Sequence, residues 1–361
     1  MKIINTGFDH VEYIVKDVSK LSPTFSKMGF EKIGDRYLKD RGIKSELWQQ
    51  GFIRILLTQG DGSSASQSEH SVQFLNAQDE GICVLALEVE DAKQAYDFVI
   101  SRGARSAMPV KTFETKEGKV TRAEIWTPGR VRYAFISRTY PNGFKGAGLF
   151  DEGMTVTRFE SPMPNHLHSI DHLTNNIDMG QTQAWVDFYT KVFNFKLTRH
   201  FDIRTGRTGL TSEVVESQCG RIKVPINEAT EKESQVQEFV DRLKGAGVQH
   251  LAFLTTGIMK TLPALKSQGF KFLNVPHTYY EAVPTRVPGV TEDLEELERV
   301  GLLLDGDNTG YLLQIFSEEI LGPFFFEFIQ RKGNRGFGEG NFRALFEAIE
   351  RDQIKRGVLK A

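Results

Sequence analysis

Two of the eight histidines in this 361-residue chain stand in short apolar, strand-like runs of its C-terminal half: His172 in IDHLTNNI and His250 in GVQHLAF. Glu327 interrupts the run FFFEFI. A carboxylate buried there would cost several kcal/mol, roughly, unless it were protonated or bound to a cation. Strand alternation puts Phe325, Glu327 and Ile329 on one face. Two imidazoles and one carboxylate leave open positions on a bound metal, the donor set suited to iron(II) enzymes that handle dioxygen. Each residue alone has a plainer reading. A single strand histidine is more often a hydrogen-bonded core residue, and a glutamate among phenylalanines can pair with a buried Arg or Lys. His10, His166, His168, His200 and His277 are read as structural or surface residues.

What raises the three together is an internal repeat, the feature to seek first in any chain. Four segments open with a strand-like run: FDHVEYIVKD from Phe8, ICVLALEVED from Ile82, SIDHLTNNID from Ser169 and QHLAFLTTG from Gln249. Each leads into a helical face: Val18, Leu21, Phe25 and Met28; Ala92, Ala95, Tyr96 and Val99; Trp185, Phe188, Tyr189 and Val192; Ile258, Leu262 and Leu265. Each helix stops at a residue that tolerates the left-handed conformation. The stop comes nineteen residues after His10, Val84 and His250 (Gly29, Gly103, Gly269) and twenty-two after His172 (Asn194). Strand-like stretches follow, such as EKIGDRY, FKLTRHFDI and KFLNVP, and then SELWQQG, FIRILLTQG and YLLQIF.

The expected fold is therefore α+β. Four βαβββ modules pair two by two into open-barrel domains, each curling its sheet around a cavity. Gly, Pro and Asn concentrate between residues 139 and 167, which places a first domain at 1–150 and a second at 151–361. Aligning the halves sets His10 on His172, Val84 on His250 and, through YAFISR and FEFIQR, Ala134 on Glu327. The second half carries His, His, Glu where the first carries His, Val, Ala. The iron site is expected in the second half and not in the first.

Composition bounds the alternatives. Lys and Arg number 45 against 47 acids, which offers no basic footprint for nucleic acid and no polybasic membrane patch. Cys83 and Cys219 are far apart, so neither a disulfide framework nor a thiolate zinc site is expected, and a reducing compartment fits. The N-terminal MKIINTGFDHVEYIV lacks a signal pattern and no apolar run spans a bilayer, so a cytoplasmic location is expected.

These residues resemble the vicinal oxygen chelate superfamily, with its glyoxalase-like fold. The second half resembles the 4-hydroxyphenylpyruvate dioxygenase family, in IDHL around His172, PINEAT at 225–230, GVQHLAF, YLLQIFS at 311–317, FFFEFIQRKG and GFGEGNFRALFEAIE at 336–350. The resemblance implies Fe2+ on His172, His250 and Glu327. It also implies polar pocket residues at Ser212, Asn227, Gln235, Gln249 and Gln314, and aromatic walls at Phe316, Phe325, Phe342 and Phe346. The implied substrates are 4-hydroxyphenylpyruvate, which brings its own 2-oxoacid, and O2; the implied products are homogentisate and CO2. A homo-oligomer, dimer or tetramer, is expected. Strand alternation turns Gln249 away from His250, so Gln249 is read as standing behind the ligands.

Phe342, Leu345, Phe346 and Ile349 recur at helical spacing, which predicts an amphipathic C-terminal helix over 341–356. The resemblance implies that it closes over the pocket. GFGEGN also has the look of a dinucleotide fingerprint, but too little chain follows for the second strand and ribose-binding acid. Alternatives are 4-hydroxymandelate synthase, which shares substrate and metal, an extradiol ring-cleaving dioxygenase, and a binding protein of the same fold.

Overall fold

The computed structural model describes residues 3–141, 143, 148–157, 167–204, 208–281, 283–287, 289–338, 340–341, 353–354 and 357–358. Phe342 and Phe346, and most of the expected C-terminal helix, lie outside the described residues.

The repeat seen in the sequence becomes a repeat in space. In the first half the strands are β1 (Ile3–Ile14), β2 (Glu31–Leu38), β3 (Ile43–Gln50), β4 (Ile53–Gly60), β5 (Gly81–Val89), β6 (Ser106–Thr115), β7 (Gly118–Trp126) and β8 (Arg132–Thr139). They form one eight-stranded sheet in the order β2-β3-β4-β1-β5-β8-β7-β6. A hairpin of β9 (Gly148–Asp151) and β10 (Met154–Val156) follows. The second half has β11 (Leu167–Ile177), β12 (Lys196–Arg204), β13 (Gly209–Glu216), β14 (Lys223–Ala229), β15 (Gly247–Thr255), β16 (Leu303–Asp307), β17 (Gly310–Phe316) and β18 (Phe325–Lys332), in the order β12-β13-β14-β11-β15-β18-β17-β16. Both orders are the same permutation. In each module the first strand pairs in parallel with the last, β1 with β4 and β15 with β18, and two modules join through antiparallel first strands, β1 with β5 and β11 with β15.

The helices between first and second strands bury the faces that the periodicity marks, with Phe25, Ala92, Tyr189 and Leu262 all fully enclosed. Asp17 and Asp91 cap two of them at Ser19 and Gln94. All four stop residues have positive φ. The later stop in the third module has a local cause in part: Thr182–Asp187 continues as a π-helical turn, Phe188–Val192, which inserts an extra residue. The fourth module departs from expectation. Among the described residues KFLNVP makes only a bridge from Phe272 to Ser317, and the edge strand is instead Leu303–Asp307, after an inserted helical segment that includes Leu294–Val300. Pro276 ends the stretch, and a proline cannot donate to a ladder.

The halves share one core. The run FFFEFI explains part of the unusual phenylalanine count: Phe324 and Phe326 point outward, edge-on to Tyr13 (5.3 Å) and Phe25 (6.0 Å) of the first half. Phe325 and Glu327 take the other face. Main-chain and side-chain bonds add to the seam, among them Phe52 N–H to His168 O (2.8 Å) and Tyr133 to Tyr189 through their hydroxyls (3.1 Å). Phe150, Met154 and Val156 of the hairpin pack on Leu47 and Leu56 of the first-half sheet. Among the described residues no helix is long and apolar enough to cross a membrane.

Candidate metal centre

His172 lies on β11, His250 on β15 and Glu327 on β18, three strands that are adjacent in the sheet. His172 pairs with Ala252, and Ala252 pairs with Glu327; His250 pairs with Thr174 and Phe325. The first half repeats this register with His10, Ala86 and Ala134. The alignment of the halves is thus a spatial equivalence.

The three side chains are buried and offer ligand atoms within 4.8 Å of one another. Glu327 Oε2 lies 3.2 Å from His172 Nε2 and 3.4 Å from His250 Nε2. Its other oxygen, Oε1, is buried with no hydrogen-bond partner among the described residues. Burial pushes the Glu327 carboxyl up, but the charge of His172 and hydrogen bonds from both imidazoles outweigh this and hold it at about 2. His172 is shifted up, because Glu327 and Asp171 overcome the opposing effect of burial. Burial dominates at His250 and keeps it below the ordinary histidine value. The donor chemistry fits a divalent cation: one carboxylate that stays ionised, one neutral imidazole, and a second imidazole that a cation would deprotonate at Nε2.

Two β-bulges aim the histidines, a common device beside functional sites. On β11 the register skips Asp171; on β15 it skips Gln249. A bulge breaks the alternation, so Gln249 is not turned away from His250, yet it stands behind that ligand as expected. Its Oε1 lies 3.0 Å from His250 Nδ1, on the same side as the ring, and so orients it. Thr174 Oγ1 lies 3.0 Å from His250 Nε2, the nitrogen that also faces Glu327. Asp171 stands 3.5 Å from His172 Nδ1 and leaves Nε2 toward Glu327.

Around this centre lies a polar row. Ser212 pairs with Asn227 across β13 and β14, and Asn227 with Asn176 across β14 and β11. Cross-strand partners share a face, and Asn227 Nδ2 donates to Asn176 Oδ1 (3.2 Å). Ser212 Oγ, Asn227 Oδ1, Asn176 Nδ2 and both terminal atoms of Gln314 are buried and lack partners among the described residues. An unmet buried polar group costs about 1–3 kcal/mol, so such a concentration calls for a polar ligand. Phe325 stacks on His250 (4.9 Å, 21°), and Phe316 stands edge-on to Phe325 (6.0 Å). Gln235 sits half-buried at the start of the helix Gln235–Leu243, and its side chain has no described bond to this group. The alternation and motif readings passed over Thr174, Asn176 and Phe337. Phe337 lies edge-on to His172 (5.2 Å) inside the GFGEGNF motif. Gly338 (φ 75°) presses on the Gln314 carboxamide so closely that a Cβ there would fall 1.8 Å from Oε1.

The equivalent face of the first half is filled differently. Arg122 bonds Glu124 (2.8 Å) and Asp151 (2.5 Å), Arg36 also reaches Asp151 (3.2 Å), and Arg132 bonds Glu124 (2.5 Å) and Ser71 (2.7 Å). Ser71 in turn donates to Glu12 (3.2 Å). Three guanidinium groups and three carboxylates thus neutralise one another where the second half keeps its pocket.

Comparison with known proteins agrees with this construction. The family model "Hydroxyphenylpyruvate dioxygenase, HPPD, N-terminal" matches residues 3–124, and "Glyoxalase/Bleomycin resistance protein/Dioxygenase superfamily" matches residues 169–283. A 4-hydroxyphenylpyruvate dioxygenase of Legionella pneumophila (strain Corby) is 40% identical over 98% of this chain and 96% of its own length. One from Pseudomonas aeruginosa is 38% identical over the same shares. A mutant 4-hydroxymandelate synthase from Streptomyces coelicolor shares the fold at a TM-score of 0.82 and 23% identity, covering 98% of this chain and all of that one. From these identities over nearly its whole length, the chain belongs to the 4-hydroxyphenylpyruvate dioxygenase family.

Proposed function

We propose that the chain uses Fe2+ on His172, His250 and Glu327 to convert 4-hydroxyphenylpyruvate and O2 to homogentisate and CO2. The observation that carries this reading is the buried constellation of three ligand atoms sharing one carboxylate, present in the half whose pocket is not filled by ion pairs. Bound iron would supply open positions for the 2-oxoacid and for dioxygen. One atom of O2 ends in the new carboxylate and the other on the ring.

The protein's own part is orientation and exclusion of water. Phe316 and Phe325 offer apolar walls for the phenol ring, while Ser212, Asn227, Asn176 and Gln314 hold unmet donors and acceptors for the hydroxyl and oxoacid ends. Gln249 and Asp171 fix the two imidazoles by their Nδ1 atoms, so that both Nε2 atoms face Glu327. Gln235, Phe342 and Phe346 are retained in the proposed pocket on the family resemblance alone. The test is oxygen uptake with 4-hydroxyphenylpyruvate and added Fe2+, with chromatography of the products. Homogentisate is the expected product; 4-hydroxymandelate as the main product would replace this reading with that of a synthase.

A further inference from the structure

Asp171, the bulged residue before His172, takes a forked pair of hydrogen bonds from Arg331: Nε to Oδ1 at 2.9 Å and Nη2 to Oδ2 at 2.7 Å. Arg331 spends Nη1 on the carbonyl of Gly336 (2.6 Å). Its guanidinium also lies over the ring of Phe337 (5.8 Å), the ring that stands against His172. The first half contains the same unit. Asp9 is the bulged residue before His10 and takes a fork from Arg138. His10 Nδ1 lies 2.6 Å from Asp9. Arg138 Nε donates to the carbonyl of Phe150 (2.7 Å), and the Phe150 ring sits under Arg138 (4.4 Å) and beside His10 (5.4 Å). Arg138 and Arg331 hold equivalent places, four residues beyond Ala134 and Glu327.

The unit of Asp, His, Arg and Phe therefore persists in the half that has lost two of the three ligands. It is a way of fastening the segment after the last strand back onto the first strand. The two copies differ in what they fasten. In the first half it is the hairpin Gly148–Asp151 and Met154–Val156, packed on the sheet. In the second it is residues 336–338, where Gly338 covers the pocket amide of Gln314. Further along, Gly340 and Asn341 are tied to Arg286, Asp305 and Tyr279.

We propose that Arg331, acting through Asp171, is a positioning residue that couples the orientation of His172 to the seating of residues 336–338 over the pocket, so that metal binding and this closure stabilise each other. The coupling is reciprocal by linkage: a segment that seats better with the metal bound must tighten the metal when it seats. The inference rests on the metal reading of the triad. Arg138 is its internal control, since its half carries Val84 and Ala134 in place of two of the three ligands.

The test uses the full chain, comparing the unsubstituted protein with R331Q, R331K and R138Q. Three quantities are read: the Co2+ dissociation constant by chelator competition, hydrogen exchange of residues 336–338 with and without Co2+, and the thermal midpoint without metal. In the unsubstituted protein Co2+ should slow exchange at 336–338. R331Q should weaken Co2+ binding about 10- to 100-fold, as loss of a partner behind a ligand typically does, and should abolish the slowing. R331K keeps the charge without the fork and should lose part of both; it decides the matter if R331Q does not fold. R138Q should lower the thermal midpoint and leave the Co2+ constant unchanged. Unaltered Co2+ binding in both Arg331 variants, or equal weakening in R138Q, overturns the coupling. An unsubstituted chain that binds no Co2+ removes the triad reading itself, and the coupling with it.

Discussion

At the scale of single residues, the chemistry rests on which atoms are free to bind. Glu327 is held ionised by its two histidines, so its oxygen is ready to bind a cation at any ordinary pH. Glu327→Gln keeps the shape and removes the anion. It should abolish stoichiometric metal binding and oxygen uptake while circular dichroism stays native; full oxygen uptake in this variant would take Glu327 out of the ligand set. Thr174 acts in the opposite sense. Its hydroxyl shares a hydrogen bond with His250 Nε2, and a metal taking that nitrogen must displace it. Thr174→Val should therefore tighten metal binding about fivefold, the equivalent of one neutral hydrogen bond of about 1 kcal/mol. Weaker binding in a competition titration would mean that the hydroxyl supports the bound metal instead.

At the scale of elements, the first-half sheet has replaced a ligand pocket with charges that neutralise one another. Such a network tolerates removal of a partner poorly, because the remaining charges stay buried. Arg122→Met leaves Glu124 to Arg132 and Asp151 to Arg36, with the buried network one positive charge short, and should cost about 3–5 kcal/mol in urea unfolding, as breaking a buried pair does. A loss below about 1 kcal/mol, the range of exposed pairs, would show that water reaches the network. The network also sets an acid limit. Burial raises the Glu124 carboxyl, but Arg132 and Arg122 more than reverse this and hold it at about 2, below the ordinary 4.5. A depressed folded-state value means stability that is complete above pH 4.5 and lost as pH falls toward 2. The urea midpoint of the unsubstituted protein should drop across that window, and the drop should be shallower in Glu124→Gln. Parallel curves would assign acid unfolding to other carboxylates.

At the scale of the molecule, the two halves share one continuous core. Phe326 is fully buried against Phe25 of the first half and Phe253 of the second (4.9 Å). Phe326→Ala should cost about 3–5 kcal/mol, as large-to-small changes in a core do. It should lower one shared thermal transition rather than split it. Two transitions, with only the later half shifted, would show that the halves unfold independently.

The sequence by itself determined the repeat, the four helix faces and their left-handed stops, because these depend on local periodicity and on backbone conformations that few residues adopt. It also brought His172, His250 and Glu327 together on paper, since three aligned positions in equivalent modules must fall at equivalent places in a sheet. Only the tertiary structure decided the rest. Gln249 read as facing away from His250 because alternation is a rule about regular strands, and a bulge is a property of the pairing with β11. Asn176 and Thr174 gave no signal in a single strand; they matter because cross-strand partners bring Asn227 and His250 beside them. The edge strand of the fourth module was misplaced because KFLNVP has strand-like residues, and an inserted helical segment delivers Leu303–Asp307 to the edge instead. No local pattern in the sequence marked Arg36, Arg122 and Arg132 for burial. Their burial among Glu12, Glu124 and Asp151 depends on strands far apart in the chain meeting on one face of a sheet, and local pattern does not record that.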